Sequence, residues 1–410
     1  MARIVMIAYT HYAVDARVKR HAQALADRGD SIDVICLTNQ QDGNCNGVNV
    51  IGLRIPRYRG SSSISYILSY LWFFAAAAWK ALLLAFQRRY DVAIVCSMPD
   101  AVVLCALPLK LLGTKVVLDV HDTMPELFQD KFPGWLGRTG AFLLKFEERF
   151  SALCADRIVA VHELHRRRLE ATGIKRRKLV VVLNAPDRRI FQAETCATVP
   201  ERRGAFVIVC HGTIARRLGV DLALNALALT GDRIPEARLL LIGSGDYLPE
   251  ARRLIDQLNL RDRVELLQPM PLEQLPAVLR QASVGLIPNL ASSATRLMLP
   301  VKLMEYAALN IPIVAARLET VEHYFGEDAI RFFEPNDAAD LARALEEARS
   351  DESGNARRAR NAGRILEDIS WDRQRKNYLT TIDALCGSNV TLPIDLGVEN
   401  RRQRLQHKSS

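Results

Sequence analysis

Short runs of consecutive apolar residues, each followed by apolar positions at helical spacing, alternate along the chain. Ile4-Val5-Met6-Ile7-Ala8 leads, and residues 3–9 read as a strand buried on both faces. From Asp15 to Arg28, the residues Val18, Ala22, Leu25 and Ala26 fall on one helical face. Gly29 stops that helix before a second apolar strand over 32–37. Strand, helix, glycine and strand make a βαβ unit. Further strands are predicted over 90–96, 115–120 and 157–161, each preceded by a helical stretch, and 180–184 closes this half. The alternation restarts at Phe206, with strands over 206–210, 237–242, 264–267, 284–287 and 313–315. Helices are predicted over 220–229, 249–258, 272–281 and 300–309, and a last one over 337–350 follows Phe332-Phe333. The pattern gives two doubly wound α/β domains, residues 1–190 and 204–370, with a polar linker over 191–204.

Two segments stand outside the alternation. Residues 64–87 are almost wholly apolar, with a run of four alanines and Lys80 as the one charge, and 24 residues suffice to cross a bilayer. Their place between strands of one sheet suits a buried helix or a helix lying on a membrane surface as well as a span. Arg57, Arg59, Arg88 and Arg89 flank them. Residues 388–410 are polar and basic and read as a mobile tail. At the other end, Met1-Ala2-Arg3 runs straight into the first strand, too short an apolar stretch for a signal peptide and without a cleavage site.

Composition narrows the class. Of 410 residues, 49% are hydrophobic and 25% charged, which excludes disorder as the main state. The eight cysteines form no CxxC pair and no cluster, which argues against a structural zinc and a disulfide framework and suits a reducing cytoplasm. Charge is one-sided: residues 1–190 hold 27 Lys and Arg against 17 Asp and Glu, while the rest of the chain is near balance. Such a field suits an anionic surface, phospholipid headgroups or nucleic acid. The clusters Arg166-Arg167-Arg168 and Lys175-Arg176-Arg177-Lys178 come with no aromatic stacking platform, so nucleic acid is not expected. A solvated or lipid-facing patch is.

The candidate chemistry sits at strand ends. In Leu299-Pro300-Val301-Lys302-Leu303-Met304-Glu305-Tyr306, Pro300 suits the first position of a helix. Lys302 would add its charge to the free N–H groups there and seat a diphosphate, and Glu305 would accept from a ribose diol. The same spacing also suits an exposed Lys–Glu pair. His211-Gly212-Thr213 with Arg216, Arg217 and Gly219 follows the strand 206–210, where Gly212 permits close backbone approach and an arginine could fork onto a phosphate. A basic loop without a ligand is the other reading. Gly243-Ser244-Gly245 ends the strand 237–242 and is equally well a tight turn. Asp119, His121, Asp122 and Glu126 end the strand 115–120 and could hold sugar hydroxyls, with too few spaced ligands for a metal. Asp15 is a good N-cap, and an acceptor group could also sit at that helix start.

Taken in order, these motifs resemble the retaining, nucleotide-sugar-dependent glycosyltransferases of family four (group 1). The resemblance runs from Ala2 to about Trp371 and also takes in Pro125-Glu126 and Asn184-Ala185-Pro186-Asp187 with Phe191. It implies a GT-B fold: two Rossmann-like doubly wound domains facing across a cleft, the N-terminal one for acceptor and the C-terminal one for nucleotide-sugar. A helix over 371–387 is expected to cross back to the N-terminal domain. Arg217 and Lys302 would neutralise the donor diphosphate. Glu305 would bind the ribose, with Gly212, Gly243, Gly245 and Leu299 also at the donor. His121 would touch the transferred sugar or the leaving group, and Asp15, Arg17 and Asp122 would lie near the acceptor. Where the family often has a glutamate eight positions before Glu305, this chain has Leu297; where a glycine is usual before Pro312, it has Asn310.

The expectation is therefore transfer of a sugar to a lipid-linked or glycan acceptor for cell-surface polysaccharide, without metal or other cofactor. The protein is expected at the cytoplasmic face of a membrane, held peripherally by the basic N-terminal domain. A nucleotide-sugar epimerase of the same fold, or a non-catalytic nucleotide-sugar-binding assembly protein, would share the site.

Overall fold

A computed structural model describes residues 1–37, 43–55, 63–132, 134–191 and 204–387, with residues 63–67 described by backbone alone. The predicted linker (all but 191 and 204), Arg57, Arg59 and the tail 388–410 lie outside the described residues. The chain divides into two compact units, one from Met1–Asn184 with the segment beginning at Asp372, the other from Ala185–Trp371.

The first unit carries eight strands: β1 (Arg3–His11), β2 (Ser31–Leu37), β3 (Gly43–Cys45), β4 (Val48–Leu53), β5 (Val92–Cys96), β6 (Lys115–Asp119), β7 (Arg157–Ala160) and β8 (Leu179–Val181). Their order is β3-β4-β2-β1-β5-β6-β7-β8. Every pairing is parallel except the β3–β4 hairpin. That hairpin escapes the sequence pattern because its edge strand is Gly-Asn-Cys and fully exposed; it turns at Asn46-Gly47, both at positive φ. The order runs outward from β1 in both directions, so the topological switch point lies between β1 and β5. Val5, Ile7, Val95 and Leu118 fill the sheet core without exposure to solvent beyond 1%.

Between β4 and β5 runs the helix Ser63–Gln87. Phe73, Ala77 and Ala81 dock it onto the core of β1, β2 and β5. The burial is a narrow stripe: over Leu68–Gln87 only Phe73, Ala77 and Ala81 are fully buried, so the buried-helix reading does not hold. Among the described residues this is the one helix long and apolar enough to cross a membrane, yet its inner stripe belongs to the core of a sheet.

The second unit holds β9 (Phe206–His211), β10 (Ala237–Ile242), β11 (Val264–Leu267), β12 (Val284–Ile287), β13 (Ile313–Ala316) and β14 (Arg331–Phe333). All are parallel, in the order β11-β10-β9-β12-β13-β14, with the switch point between β9 and β12. The helix expected over 272–281 shortens to Leu275–Leu279, since Pro276 fits only its first turn. Pro300 caps the helix Val301–Ala308 with extended backbone (φ −65°, ψ 126°) instead of being its first residue. The helix Ala338–Ser350 is not the last: Asp351 accepts from the Gly354 N–H and starts Glu352–Asp368, and Trp371–Leu385 follows. The last helix packs on the first unit. Its Tyr378 ring lies 4.4 Å from His21, Gln374 accepts from the Leu183 N–H at 3.0 Å, and Asp383 pairs with Arg28 at 2.6 Å.

Candidate functional site

In the second unit the motifs converge on the carboxyl ends of β10, β9 and β12, flanking the switch point. Gly212 N–H donates to Ile242 O (2.8 Å) and Ile214 N–H to Ser244 O (2.9 Å), so the loops after β9 and β10 are laced together. Glycine is required there: Gly243 sits at φ +147° and a Cβ on it would lie 1.9 Å from Gly212 O, while one on Gly245 would lie 2.0 Å from Ile214 O. On the other side, Leu290 N–H donates to Arg217 O at 3.1 Å, and Gly219 (φ +73°) lies so close that its Cβ would meet Pro288 O at 1.7 Å. The loop 212–219 thus bridges the crevice that open α/β sheets use for ligands.

His211, the last residue of β9, is the hub that the sequence did not reveal. Its Nε2 lies 2.6 Å from Glu305 Oε2 and its Nδ1 2.9 Å from the Tyr306 hydroxyl. A carboxylate only accepts, so Nε2 donates to Glu305, while the Tyr306 hydroxyl donates to Val209 O at 3.1 Å with its oxygen beside Nδ1. Burial holds the Tyr306 phenol well above its ordinary pKa, which keeps that donor in place. Glu305 is buried and Oε1 has no hydrogen-bond partner among the described residues, so the exposed Lys–Glu pair is not what forms. Lys302, half-buried in the first turn of Val301–Ala308, has its Nζ 3.8 Å from Cys210 Sγ. Arg216 and Arg217 are exposed, and among the described residues neither they nor Lys302 form an ion pair. Leu299 is half-buried just before the cap, and Leu297 is buried in a short turn, Thr295–Leu297, where it packs and presents no polar group. Arg296 points to Glu319 instead, at 3.6 Å. Asn310 adopts φ +55°, the left-handed conformation asparagine tolerates best after glycine. Asn289, fully buried after β12, was not singled out from sequence; its Oδ1 has no partner among the described residues.

In the first unit the residues gather at the carboxyl ends of β5 and β6 beside the helix Ala16–Asp27. Asp119 organises them. Arg17 grips it through Nη2 to Oδ1 at 2.5 Å and Nε to Oδ2 at 3.2 Å. His21 Nδ1 (3.2 Å) and His121 Nε2 (3.3 Å) approach Oδ2. Burial pushes the Asp119 pKa up, but Arg17, His121 and His21 outweigh it and hold the carboxyl well below its usual value. Arg17, expected near an acceptor, spends most of its guanidinium here; Nη1 is buried without a partner among the described residues. His121 is partly exposed and Asp122 half-buried. Asp15 caps the helix, accepting from the Val18 N–H at 3.0 Å. Glu126, read as a holder of sugar hydroxyls, is instead locked to Arg168 by two bonds of 2.9 and 2.8 Å.

Cys96, Asp119 and His121 offer ligand atoms within 4.8 Å of one another, the one such group among the described residues. They suit a cation poorly. Arg17 already occupies the carboxylate, and burial pushes the Cys96 thiol well above its ordinary pKa, away from the thiolate a metal needs. The arginine cluster is also not the open patch expected: Arg166 is buried between Glu163 and Glu170, and Arg168 between Glu126 and Glu148.

Two family profiles match the chain, "Glycosyl transferase 4-like domain" over residues 13–185 and "Glycosyl transferases group 1" over 194–365. Over 201 residues the chain is 24% identical to a phosphatidylinositol N-acetylglucosaminyltransferase subunit of Arabidopsis thaliana, covering 49% of this chain and 43% of that one. Over 113 residues it is 30% identical to the GDP-mannose-dependent alpha-(1-6)-phosphatidylinositol monomannoside mannosyltransferase of Mycolicibacterium smegmatis, covering 27% and 30%. The matched stretch thus spans less than half the length of these relatives. Among solved structures, sucrose-phosphate synthase of Thermosynechococcus elongatus superposes with a TM-score of 0.75 at 17% identity, over 94% of this chain and 99% of that one. Anabaena HepE in complex with UDP-glucose gives 0.70 at 16%, over 94% and 100%. Both share the architecture of two Rossmann-like sheets, and with the two profile matches they establish that the chain belongs to the group 1 glycosyltransferases of GT-B fold.

Proposed function

We propose that the protein is a retaining glycosyltransferase that moves a sugar from a nucleoside-diphosphate sugar to a lipid-linked or glycan acceptor. It serves cell-surface polysaccharide synthesis at the cytoplasmic face of a membrane. One observation carries the reading: Lys302 lies in the first turn of Val301–Ala308, beside the β9–β12 switch point, with no ion-pair partner among the described residues. An unpaired cation at a helix N-terminus is suited to a diphosphate. The Arabidopsis and Mycolicibacterium relatives are both named for phosphatidylinositol-based acceptors, and HepE is described with UDP-glucose, which favours a nucleotide-sugar donor and a lipid-linked acceptor.

Breaking the anomeric C–O bond puts charge on the departing diphosphate. Lys302, Arg217 and the helix N-terminus stabilise that charge more in the transition state than in the ground state. They do so without a metal ion or other cofactor. Glu305, held by His211, receives the ribose, and Gly212, Gly243, Gly245 and Leu299 bring backbone against the nucleotide-sugar. His121 meets the transferred sugar, with Asp15, Arg17 and Asp122 on the acceptor side. Attack on the same face of the sugar, within an ion pair, gives retention, and no carboxylate nucleophile is assigned.

The test is a panel of UDP-, GDP- and ADP-sugars with a polyprenyl- or phosphatidylinositol-linked acceptor, followed by product analysis with and without acceptor. One donor should raise Tm and be consumed only with acceptor. Lys302→Ala should lower kcat/KM by ~10²–10³. Donor consumption without acceptor would mean an epimerase or hydrolase, and binding without turnover an assembly protein.

A further inference from the structure

The first unit turns an apolar face to solvent that neither its core nor the reaction explains. Along Ser63–Gln87 the exposed apolar residues are Leu68, Leu71, Trp72, Ala75, Trp79, Leu83 and Phe86, successive ones no more than four apart, opposite the docked stripe of Phe73, Ala77 and Ala81. A second helix, Trp135–Cys154, repeats the arrangement. Gly137, Ala141, Ser151 and Ala152 face inward, while Trp135, Phe142, Phe146, Phe150 and Leu153 face out. Both helices pack against the segment Asp100–Ala106. The short helix Leu107–Leu111 ties their ends together: Arg89, just past the first helix, donates to Leu112 O at 3.0 Å, and Lys110 donates to Cys154 O at 2.7 Å. Exposed Leu104, Leu111 and Leu112 fill the interval. The apolar face is therefore continuous across two helices.

Its charges are sorted by sign. Ser63–Gln87 has no acidic residue. On Trp135–Cys154 the exposed charges are Arg138, Lys145 and Arg149, while Glu148 is buried on Arg168 and Glu147 bonds Ser151. Lys178 caps the carbonyls of Ala152, Leu153 and Ala155, which brings exposed Lys175, Arg176 and Arg177 to the same end. An apolar stripe with aromatic residues and a border where cations outnumber the partly exposed acids Asp156 and Glu170 matches the interface of an anionic bilayer, where rings sit at headgroup level and cations meet phosphates.

We propose that Ser63–Gln87 and Trp135–Cys154 form one docking platform that lies in the surface of an anionic phospholipid bilayer, neither helix crossing it. The proposal rests on the membrane-face reading above and adds the surface, its second helix and its depth. Three of the four tryptophans, Trp72, Trp79 and Trp135, lie on the platform at 65%, 63% and 77% exposure; Trp371 is buried. The full chain is therefore its own probe.

The experiment mixes the purified chain with vesicles of phosphatidylcholine, with or without phosphatidylglycerol, and follows co-sedimentation and tryptophan emission. Phosphatidylglycerol vesicles at low salt should bind the protein and shift emission to the blue, and added salt should reverse both. Bromine near the headgroup should quench more than bromine at the bilayer centre. The variant Trp135→Ser, Phe142→Ser, Phe146→Ser changes only exposed residues and should lower vesicle binding about tenfold, with Tm and donor-induced thermal shift unchanged. Lys145→Glu with Arg149→Glu should abolish the preference for phosphatidylglycerol. Equal binding by the serine variant, no binding by wild type, or strongest quenching from the bilayer centre would each overturn the proposal. So would a wild-type dimer that the serine variant dissociates, which would assign the face to a second copy of the chain. A donor thermal shift that survives any of these outcomes leaves the glycosyltransferase reading standing, and loss of that shift with vesicle binding intact does the reverse.

Discussion

His211 Nε2 lies 2.6 Å from Glu305 Oε2, and Tyr306, the next residue along the helix, closes on the other ring nitrogen. Glu305 is thus aimed from the end of β9. Its reach toward a ribose depends on a residue 94 positions away. A charge-assisted hydrogen bond of this kind contributes ~1.5–3 kcal/mol, equal to roughly 10–100-fold in affinity. His211→Ala should therefore raise the donor KM by ~10-fold or more with a smaller change in kcat, and His211→Gln should recover part of it. Equal losses in kcat and kcat/KM, with KM unchanged, would remove Glu305 positioning as the role of His211.

The laced glycine loops give a second prediction. A Cβ at Gly243 would drive into Gly212 O at 1.9 Å, backbone against backbone, at a φ that L-residues avoid. Gly243→Ala should cost ~2–3 kcal/mol of stability and abolish the donor thermal shift. Ser244→Ala, between the two glycines, should do neither, because the bond from Ile214 goes to its carbonyl. A Gly243→Ala protein with wild-type Tm and donor binding would show that these loops part easily.

Much of this was written in the sequence, and the limit falls at particular residues. Parallel strands such as Val92–Cys96 and Ile313–Ala316 announce themselves because both faces are buried and the run is apolar throughout. Lys302, Glu305 and the glycines are visible because one short segment holds each motif. The helical stretch expected before 157–161 carries no bounds from sequence: the outer face of Trp135–Cys154 is as apolar as its inner one, so the 3.6-residue contrast vanishes. The same loss of contrast left buried, surface and spanning readings open for 64–87. The Arg17–Asp119 pair joins residues 102 apart, and no spacing rule reaches that far.

That pair carries the third prediction. Burial lowers the His21 pKa from 6.5 to about 4, against the pull of Asp119 and with help from Arg17 and Arg20. A base whose folded pKa is depressed binds fewer protons folded than unfolded. Stability is therefore full above pH 6.5 and falls as pH drops toward 4, by up to ~3 kcal/mol. Asp119, held well below 3.8, extends the loss to more acid pH. His21→Phe keeps the ring against Tyr378 and cannot titrate; its Tm should fall less than that of wild type between pH 7 and pH 4.5, though His165, also depressed, leaves some slope. Parallel Tm curves for the two proteins would mean that His21 is protonated in the fold. Asp119→Asn should cost ~3–5 kcal/mol at pH 7, since it leaves Arg17 charged and buried without its counter-ion.

A cluster of opposite sign lies behind the docking helix. Burial first, then the neighbouring Glu148, raises the Glu147 carboxyl from 4.5 to about 7, against a lowering bond from Ser151. Asp100, fully buried beside Glu147 and Glu148, is also held well above its usual pKa by burial. An acid with a raised folded pKa is favoured in its protonated form. Its contribution is complete below pH 4.5 and is lost as pH rises through 7. Glu147→Gln imitates the protonated acid at every pH. It should match wild-type stability at pH 4.5 and exceed it at pH 8 by ~2–3 kcal/mol, read as a higher urea midpoint with an unchanged m-value. If the two proteins unfold together at pH 8, the carboxylate is solvated, and the inward sorting of acids behind Trp135–Cys154 carries no electrostatic cost.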